Sequence, residues 1–303
     1  MTQHFDVLII GAGLSGISAA YHLQSGCPDK TYAILEGREN LGGTWDLFRY
    51  PGIRSDSDMF TLSYSFKPWT AEKSIADASD ILSYLRETVE ENSIEPHIRY
   101  QHQVKSAAWS SEKSLWTLEV ARTNDSNGEE EITRFTCGFL FTCTGYYSYK
   151  AGYTPDFKGT ERFAGRIVHP QQWTDDIDHA GKKVVVIGSG ATAITLVPAL
   201  AKDSAHVTML QRSPSYIVSG PAQDLLAARL RRFLPEPMVH FTVRWKNILT
   251  NIFSFWWLRK YPESAKKMIM AGAQEQLGDD FDVDRHFNPS YKPWDERVCL
   301  SPN

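Results

Sequence analysis

Two short glycine-rich turns, Gly11-Ala-Gly13-Leu-Ser-Gly16 and Gly188-Ser-Gly190-Ala-Thr192-Ala193, are the stretches of this chain best suited to holding a phosphate. Each follows a short apolar run and opens an apolar segment with helical spacing, the context that separates a dinucleotide-binding turn from a chance match. The first glycine allows a tight turn, and the second lets the backbone approach a pyrophosphate. The third small residue lets helix pack on strand, and the helix N-terminus presents oriented N–H donors. Glu36 ends the strand Tyr32-Ala-Ile-Leu35, twenty residues past Gly16. A carboxylate there accepts hydrogen bonds from ribose hydroxyls and excludes a 2'-phosphate. By this physics the first turn suits FAD or NAD. The strand after the second turn, Val207-Thr-Met-Leu210, ends instead in Gln211-Arg212-Ser213-Pro214. Arg212 can grip a 2'-phosphate through two charge-assisted bonds and Ser213 can add a third, which favours NADPH over NADH. The plain alternative for Arg212 is a solvated surface arginine.

Between the turns lies Phe163-Ala-Gly165-Arg-Ile-Val-His169-Pro-Gln-Gln-Trp173. It resembles the F-x-G-x-x-x-H-x-x-x-W signature of the type I Baeyer-Villiger monooxygenases, which are class B flavoprotein monooxygenases. Thr174 departs from the Pro or Asp that usually follows the tryptophan. Leu41-Gly-Gly43-Thr44-Trp45 and Arg49-Tyr-Pro51-Gly52 are similar to the stretches that run against the flavin in this family, and Phe139 to Tyr146 resembles its strand ending in Thr144-Gly145. The resemblance implies FAD at the first turn, held also by Gly43, Thr44, Trp45, Thr144 and Gly145. It implies NADPH at the second, held by Gly188, Gly190, Thr192, Arg212 and Ser213. The implied reaction inserts one oxygen atom of O2 next to a ketone carbonyl through a C4a-peroxyflavin, giving an ester or lactone, with sulfur oxidation as a side activity. The substrate would be a small apolar ketone or a thioether-like molecule.

Pro293-Trp-Asp-Glu-Arg297 resembles the family's P-[FW]-x-x-R element. The resemblance makes Arg297 the cation that stabilises the peroxide anion and the oxyanion formed on the ketone, since a fixed guanidinium is most effective where water is excluded. Asp56 would lie near the flavin and steady that guanidinium. Alternatively, any of Ser55, Asp56, Ser57 and Asp58 can cap a helix starting near Met59. Many family members carry Lys where this chain has Glu296, so a lysine contact to the nicotinamide ribose does not carry over. His169 and Trp173 sit in a linker punctuated by Pro170 and Gly181, which suits coupling between domains better than proton transfer.

These motifs imply an α/β fold with two Rossmann-like dinucleotide-binding domains, and the helical pattern that follows the second turn resembles the helical insertion of the family's NADPH domain. The expected division is 1–150 for FAD, 151–180 for the linker with the signature, and 181–303 for NADPH. The insertion spans about 222–277, with Leu225, Leu226, Leu230 and Phe233 on one face and breaks at Pro235, Pro237 and Pro262. Strands are expected at Phe5–Ile10, around Trp109, at Trp116–Val120 and at Lys182–Ile187, and a helix at Ile75–Glu91. Glu-rich Asn124–Glu131 reads as a solvated hairpin tip. Family members continue well beyond the P-W-x-x-R element, whereas this chain stops six residues after Arg297. The expectation is an N-terminal portion whose NADPH unit is incomplete at its C-terminus and whose FAD is weakly held.

A net charge of -4 over 303 residues gives no electrostatic reason to expect nucleic acid. The N-terminus lacks a secretory signal pattern, which points to the cytoplasm. Cys27, Cys137, Cys143 and Cys299 form no metal-ligand or disulfide pattern and read as small buried apolar residues. The aromatic run Asn247–Leu258 is too short to span a bilayer. Packing onto its own protein is the plain reading of that run, with contact to a membrane surface or to another chain left open. Oligomeric state and substrate identity are not legible. An N- or S-oxygenating flavin monooxygenase and a non-enzymatic dinucleotide-binding fragment are the alternative functions.

Overall fold

In the computed structural model, which describes residues 2–123 and 130–302, strand β1 (Thr2–Ile10) runs into the first glycine turn and the helix Leu14–Gly26 leaves it. Contacts divide the chain into two compact units. One unites the residues up to Arg49 with Ser79–Gln172, and the other unites Tyr50–Ala78 with the residues from Trp173 onward. The expected division at 150 and 180 follows cofactor roles; by packing, 50–78 joins the second unit.

The first unit is built on a six-stranded sheet of order β3-β2-β1-β6-β5-β4, with β2 (Tyr32–Leu35), β3 (Ile98–Arg99), β4 (His102–Ser110), β5 (Leu115–Thr123) and β6 (Glu130–Thr142). β1, β2, β3 and β6 pair in parallel, while β4, β5 and β6 form an antiparallel meander. β2 is buried throughout, as a parallel strand covered on both faces must be. Leu8, Ala33, Leu35, Leu118, Val120, Phe135 and Cys137 form the core, so the meander and the parallel strands share one apolar interior. The helix expected from Ile75 begins at Ala78 and ends at Glu91. The expected hairpin tip at 124–131 lies mostly outside the described residues.

In the second unit β7 (Lys183–Ile187) pairs in parallel with β8 (His206–Leu210), and the helix Ala191–Leu200 packs on both. β9 (Tyr216–Gly220) pairs in parallel with β10 (Val298–Pro302). The helical insertion comprises Leu225–Leu230, Glu236–Lys260 and Pro262–Leu277. Pro237 and Pro262 stand in the first turns of their helices, where the missing N–H has no intrahelical partner to lose. Phe60, Ala227, Val239 and Val243 form the core beneath. Three expectations need correction. Leu225 and Phe233 are exposed, because the helix ends at Leu230 and Ala227 is the residue that turns inward. Phe253, Phe255 and Trp256 are also exposed, so the aromatic run does not pack onto its own protein as a whole. Cys27 is exposed too, standing just past the C-terminus of the helix Leu14–Gly26.

Candidate dinucleotide sites

The first turn is locked by close backbone packing. Gly11 has φ +102°, and a Cβ there would come within 2.5 Å of the Cys143 carbonyl oxygen at the end of β6. A Cβ on Gly16 would lie 1.9 Å from the Gly11 carbonyl oxygen, so only glycine lets this helix sit on its strand. The Gly42 N–H donates to the Ala12 carbonyl at 3.0 Å, and a Cβ on Gly43 would lie 3.2 Å from the Gly13 Cα. The Gly-Gly-Thr44-Trp45 stretch therefore lies directly against the first turn. Thr144 is beside it as well, its Cα 3.7 Å from the Cβ position of Gly11, and Gly145 follows with φ +66°. Gly11, Gly13, Gly16, Gly43 and Thr144 are thus brought together.

Glu36 is buried at the end of β2. Its Oε2 accepts from the Ala12 N–H at 2.8 Å and its Oε1 from the Arg38 N–H at 3.0 Å. Burial pushes the carboxyl above its ordinary pKa, and the Ala12 and Arg38 N–H groups and the Arg38 charge oppose that push. The Tyr149 hydroxyl is hydrogen-bonded to Glu36, and burial together with the Glu36 charge pushes that phenol up to about 12. Arg38 in turn stacks on Tyr149 at 5.6 Å and pairs with buried Asp46 at 2.7 Å. Neither Tyr149 nor the Arg38–Asp46 pair was legible in the sequence, since both depend on residues that only the fold brings to β2.

The second turn repeats the backbone and changes the surroundings. A Cβ on Gly188 or Gly190 would meet nothing within 4 Å. Ser189 is buried, its hydroxyl donating to the Ser213 carbonyl at 2.6 Å, and the Ser215 hydroxyl donates to the Ser189 carbonyl at 2.5 Å. Thr192 is hydrogen-bonded to Tyr50, whose hydroxyl burial raises above its ordinary pKa. A Cβ on Gly52 would lie 2.7 Å from the Ala199 Cβ, so the Tyr50–Gly52 stretch packs on the helix that follows the second turn. Arg212 is exposed, and among the described residues no ion pair or hydrogen bond holds it. Gln211, standing where the first site has Glu36, donates to the His286 carbonyl.

Arg297 lies beneath this second turn. Its Nε donates to the Ser215 hydroxyl at 2.8 Å and its Nη2 to the Ser189 hydroxyl at 3.2 Å, while Nη1 stands 3.6 Å from Glu296 Oε2. Asp56 is exposed and its charge faces Arg54, whose guanidinium donates to the Leu300 carbonyl at 3.1 Å. Among the described residues it is Glu296, not Asp56, that pairs with Arg297. The helix-capping role weighed for Asp56 falls to Asp58, which accepts from the Thr61 N–H at 3.0 Å.

The signature residues make local contacts. The Phe163 ring covers Gly165, where a Cβ would lie 2.5 Å from its Cζ, and the His169 ring fills the space a Gly152 side chain would need. His169 Nδ1 accepts from the Gln171 N–H at 3.2 Å, and Trp173 lies 6.2 Å from the His179 ring. The boundary between the two units falls inside the signature, after Gln172.

A parallel-sheet turn of dinucleotide type in each unit defines an α/β protein with two Rossmann-type halves. Residues 5–256 match the model of the family described as flavin-binding monooxygenase-like, and the chain belongs to that family. It is 54% identical over 304 residues to the FAD-containing monooxygenases EthA of Mycolicibacterium smegmatis and Mycobacterium tuberculosis, an alignment covering 100% of this chain and 61% of each relative. The chain thus spans about three fifths of the length of these curated relatives. Among solved structures it is similar to an oxidized steroid monooxygenase bound to NADP, with 25% identity, a TM-score of 0.76, and 99% of this chain and 62% of that one covered. It is also similar to a cyclohexanone-bound cyclohexanone monooxygenase, with 26% identity, a TM-score of 0.62, and coverage of 72% and 41%.

Proposed function

We propose that this chain carries the two dinucleotide sites of a Baeyer-Villiger-type monooxygenase that uses FAD and NADPH. One observation carries the reading. Both helices that leave the glycine turns start at a glycine N-cap, Gly13 and Gly190, with no side-chain hydrogen bond to the cap and no acidic residue in the first turn. Their first N–H groups lack intrahelical acceptors, and the positive end of each helix dipole lacks a counter-charge, which is the condition for binding pyrophosphate. The donor set therefore fits both cofactors.

Gly11, Gly13 and Gly16 would hold the pyrophosphate of FAD, Glu36 its ribose, and Gly43, Thr44, Trp45, Thr144 and Gly145 the chain's approach to the flavin. Gly188, Gly190 and Thr192 would hold the pyrophosphate of NADPH, with Arg212 and Ser213 on its 2'-phosphate. Bound FAD, reduced by NADPH, supplies the oxygen activation for insertion beside a ketone carbonyl, with sulfur oxidation of a thioether-like substrate as a lesser outcome. Arg297 supplies a fixed cation for negative charge developing on the ketone oxygen, and Ser189 and Ser215 orient it from beneath the NADPH turn. Drawing on NADPH is consistent with work in the cytoplasm. Arg297→Ala tests the assignment: NADPH should still reduce bound flavin, while ketone oxidation stops. Normal ketone turnover in that variant removes Arg297 from the chemistry. Faster turnover of a thioether than of a ketone by the unaltered chain would move the reading to a heteroatom-oxygenating enzyme.

A further inference from the structure

The helix Glu236–Lys260 has 25 residues, and Val239, His240 and Val243 are buried on its inner side. Arg244 fixes that orientation by donating to the Phe60 and Ser63 carbonyls at 2.8 and 3.0 Å. On the outer side Met238, Phe241, Trp245, Leu249, Ile252 and Trp256 recur at spacings of three and four and are all exposed. At about 1.5 Å per residue this stripe runs about 27 Å along the helix. Phe253 and Phe255 widen it on either flank. A contiguous apolar face of this size on a helix surface marks a binding surface. The helix is not long and apolar enough to cross a membrane.

We propose that this face docks flat on an anionic phospholipid bilayer. Charge decides among the candidate occupants. From Pro237 to Lys260 the sequence contains no carboxylate, and the one acid at the start of the helix, Glu236, is held by Arg231 at 2.9 Å. A second copy of the helix therefore offers no free anion to the cationic end of the stripe. That end is built of Trp256, Tyr261 and Lys260, whose ammonium lies 4.6 Å from the Trp256 ring centroid; Arg259 beside it is paired with Asp295. A shallow open groove of about 680 Å³ runs here between Asn251, Ile252, Phe255, Trp256, Arg259 and Lys260. Its apolar floor suits an acyl chain and the ammonium at its mouth suits a lipid phosphate. Aromatic rings beside lysine at the end of an apolar stripe match the chemistry of the bilayer interface, where amphipathic rings sit at headgroup level and long cations reach the phosphates. A helix–helix seam would instead be narrow and bordered by paired charges.

The test is co-sedimentation of the chain with vesicles of phosphatidylcholine alone and of phosphatidylcholine mixed with phosphatidylglycerol. The expected result is binding to the mixed vesicles that Phe241→Glu and Ile252→Glu each weaken by about tenfold or more, since each buries a charge in the acyl boundary. Lys260→Glu should reduce the preference for phosphatidylglycerol several-fold. Val185→Glu, which places the same charge on an exposed residue of β7, should change nothing. Circular dichroism of each variant confirms that it is folded. Three results would overturn the proposal: no sedimentation with either vesicle, equal loss in the Val185 variant, or concentration-dependent self-association that Ile252→Glu abolishes without any vesicle binding.

Discussion

In the first turn the Gly11 N–H donates to the Leu35 carbonyl at 2.8 Å, and in the second the Gly188 N–H donates to the Leu210 carbonyl at the same distance. Beyond that shared step the two diverge. The first is set in a six-stranded sheet whose β6 passes so close that Gly11 can carry no side chain. The second is set on a two-stranded sheet, and Val185, Ile187 and Leu210 of that sheet stay exposed. The residue after the strand also differs, being a buried carboxylate at 36 and an amide at 211 followed by an exposed Arg212. The backbone geometry of each turn is thus a local property of a dozen residues, whereas its degree of enclosure and the side chain at the end of its second strand come from what the rest of the chain brings to the turn.

This contrast is sharpest at the third position of the first turn. Gly16→Ala places a methyl 1.9 Å from a backbone oxygen, and backbone cannot move aside as a flexible side chain can. The expected loss is about 3 kcal/mol or more, at the top of the range for overpacking, read as a lower urea midpoint for the first unit. In the second turn Gly190→Ala meets open space at a φ of -82°. It should cost less than about 1 kcal/mol of stability, the ordinary penalty of alanine at an N-cap, while weakening NADPH through its approach to the pyrophosphate. Equal destabilisation by the two substitutions would show that the turns are walled alike after all.

Arg212→Ala sharpens the comparison at the ribose end. It should weaken NADPH binding by about 1.5 to 3 kcal/mol and leave NADH binding unchanged, because only the 2'-phosphate loses a charged hydrogen bond. Equal loss of both cofactors by calorimetric titration would remove the 2'-phosphate role.

The smallest expected effect separates the units by pH. Buried His240 is hydrogen-bonded through Nε2 to the Ser63 hydroxyl at 3.2 Å, and burial with the nearby Arg244 charge lowers its pKa below the ordinary histidine value of about 6.5. The unfolded chain then binds more protons than the folded one below that value, so the second unit loses stability as pH falls through it. Urea unfolding across this pH range should show a declining midpoint for the second unit, and His240→Phe should flatten the decline. An unchanged slope would mean that other groups govern it.

The strands, the two glycine turns and the helix breaks at Pro235, Pro237 and Pro262 were legible because each is dictated by local sterics. Positions 5–10, 32–35 and 182–187 each hold a strand within a residue or a few. What the sequence could not show depends on distant contacts. Arg49-Tyr-Pro-Gly52 reads as one flavin-side stretch, yet the unit boundary falls between Arg49 and Tyr50, and Gly52 abuts Ala199. Arg297 reads as a partner of Asp56, yet buried Ser189 of the second turn and buried Ser215 just ahead of β9 hold it. Helical spacing placed Phe233 on an inner face, but spacing does not say where a helix stops, and this one stops at Leu230.

The most direct measurement is a titration of the chain with FAD and, separately, with NADPH, each repeated in the presence of the other and in Glu36→Gln. The expected result is saturation at one equivalent of each, without competition, and a loss of FAD affinity of about tenfold or more in the variant, since a charged acceptor of the ribose hydroxyls is gone. NADPH affinity should be unchanged in that variant. Mutual displacement of the two cofactors, or a parallel loss of both in Glu36→Gln, would contradict the assignment of one dinucleotide to each turn.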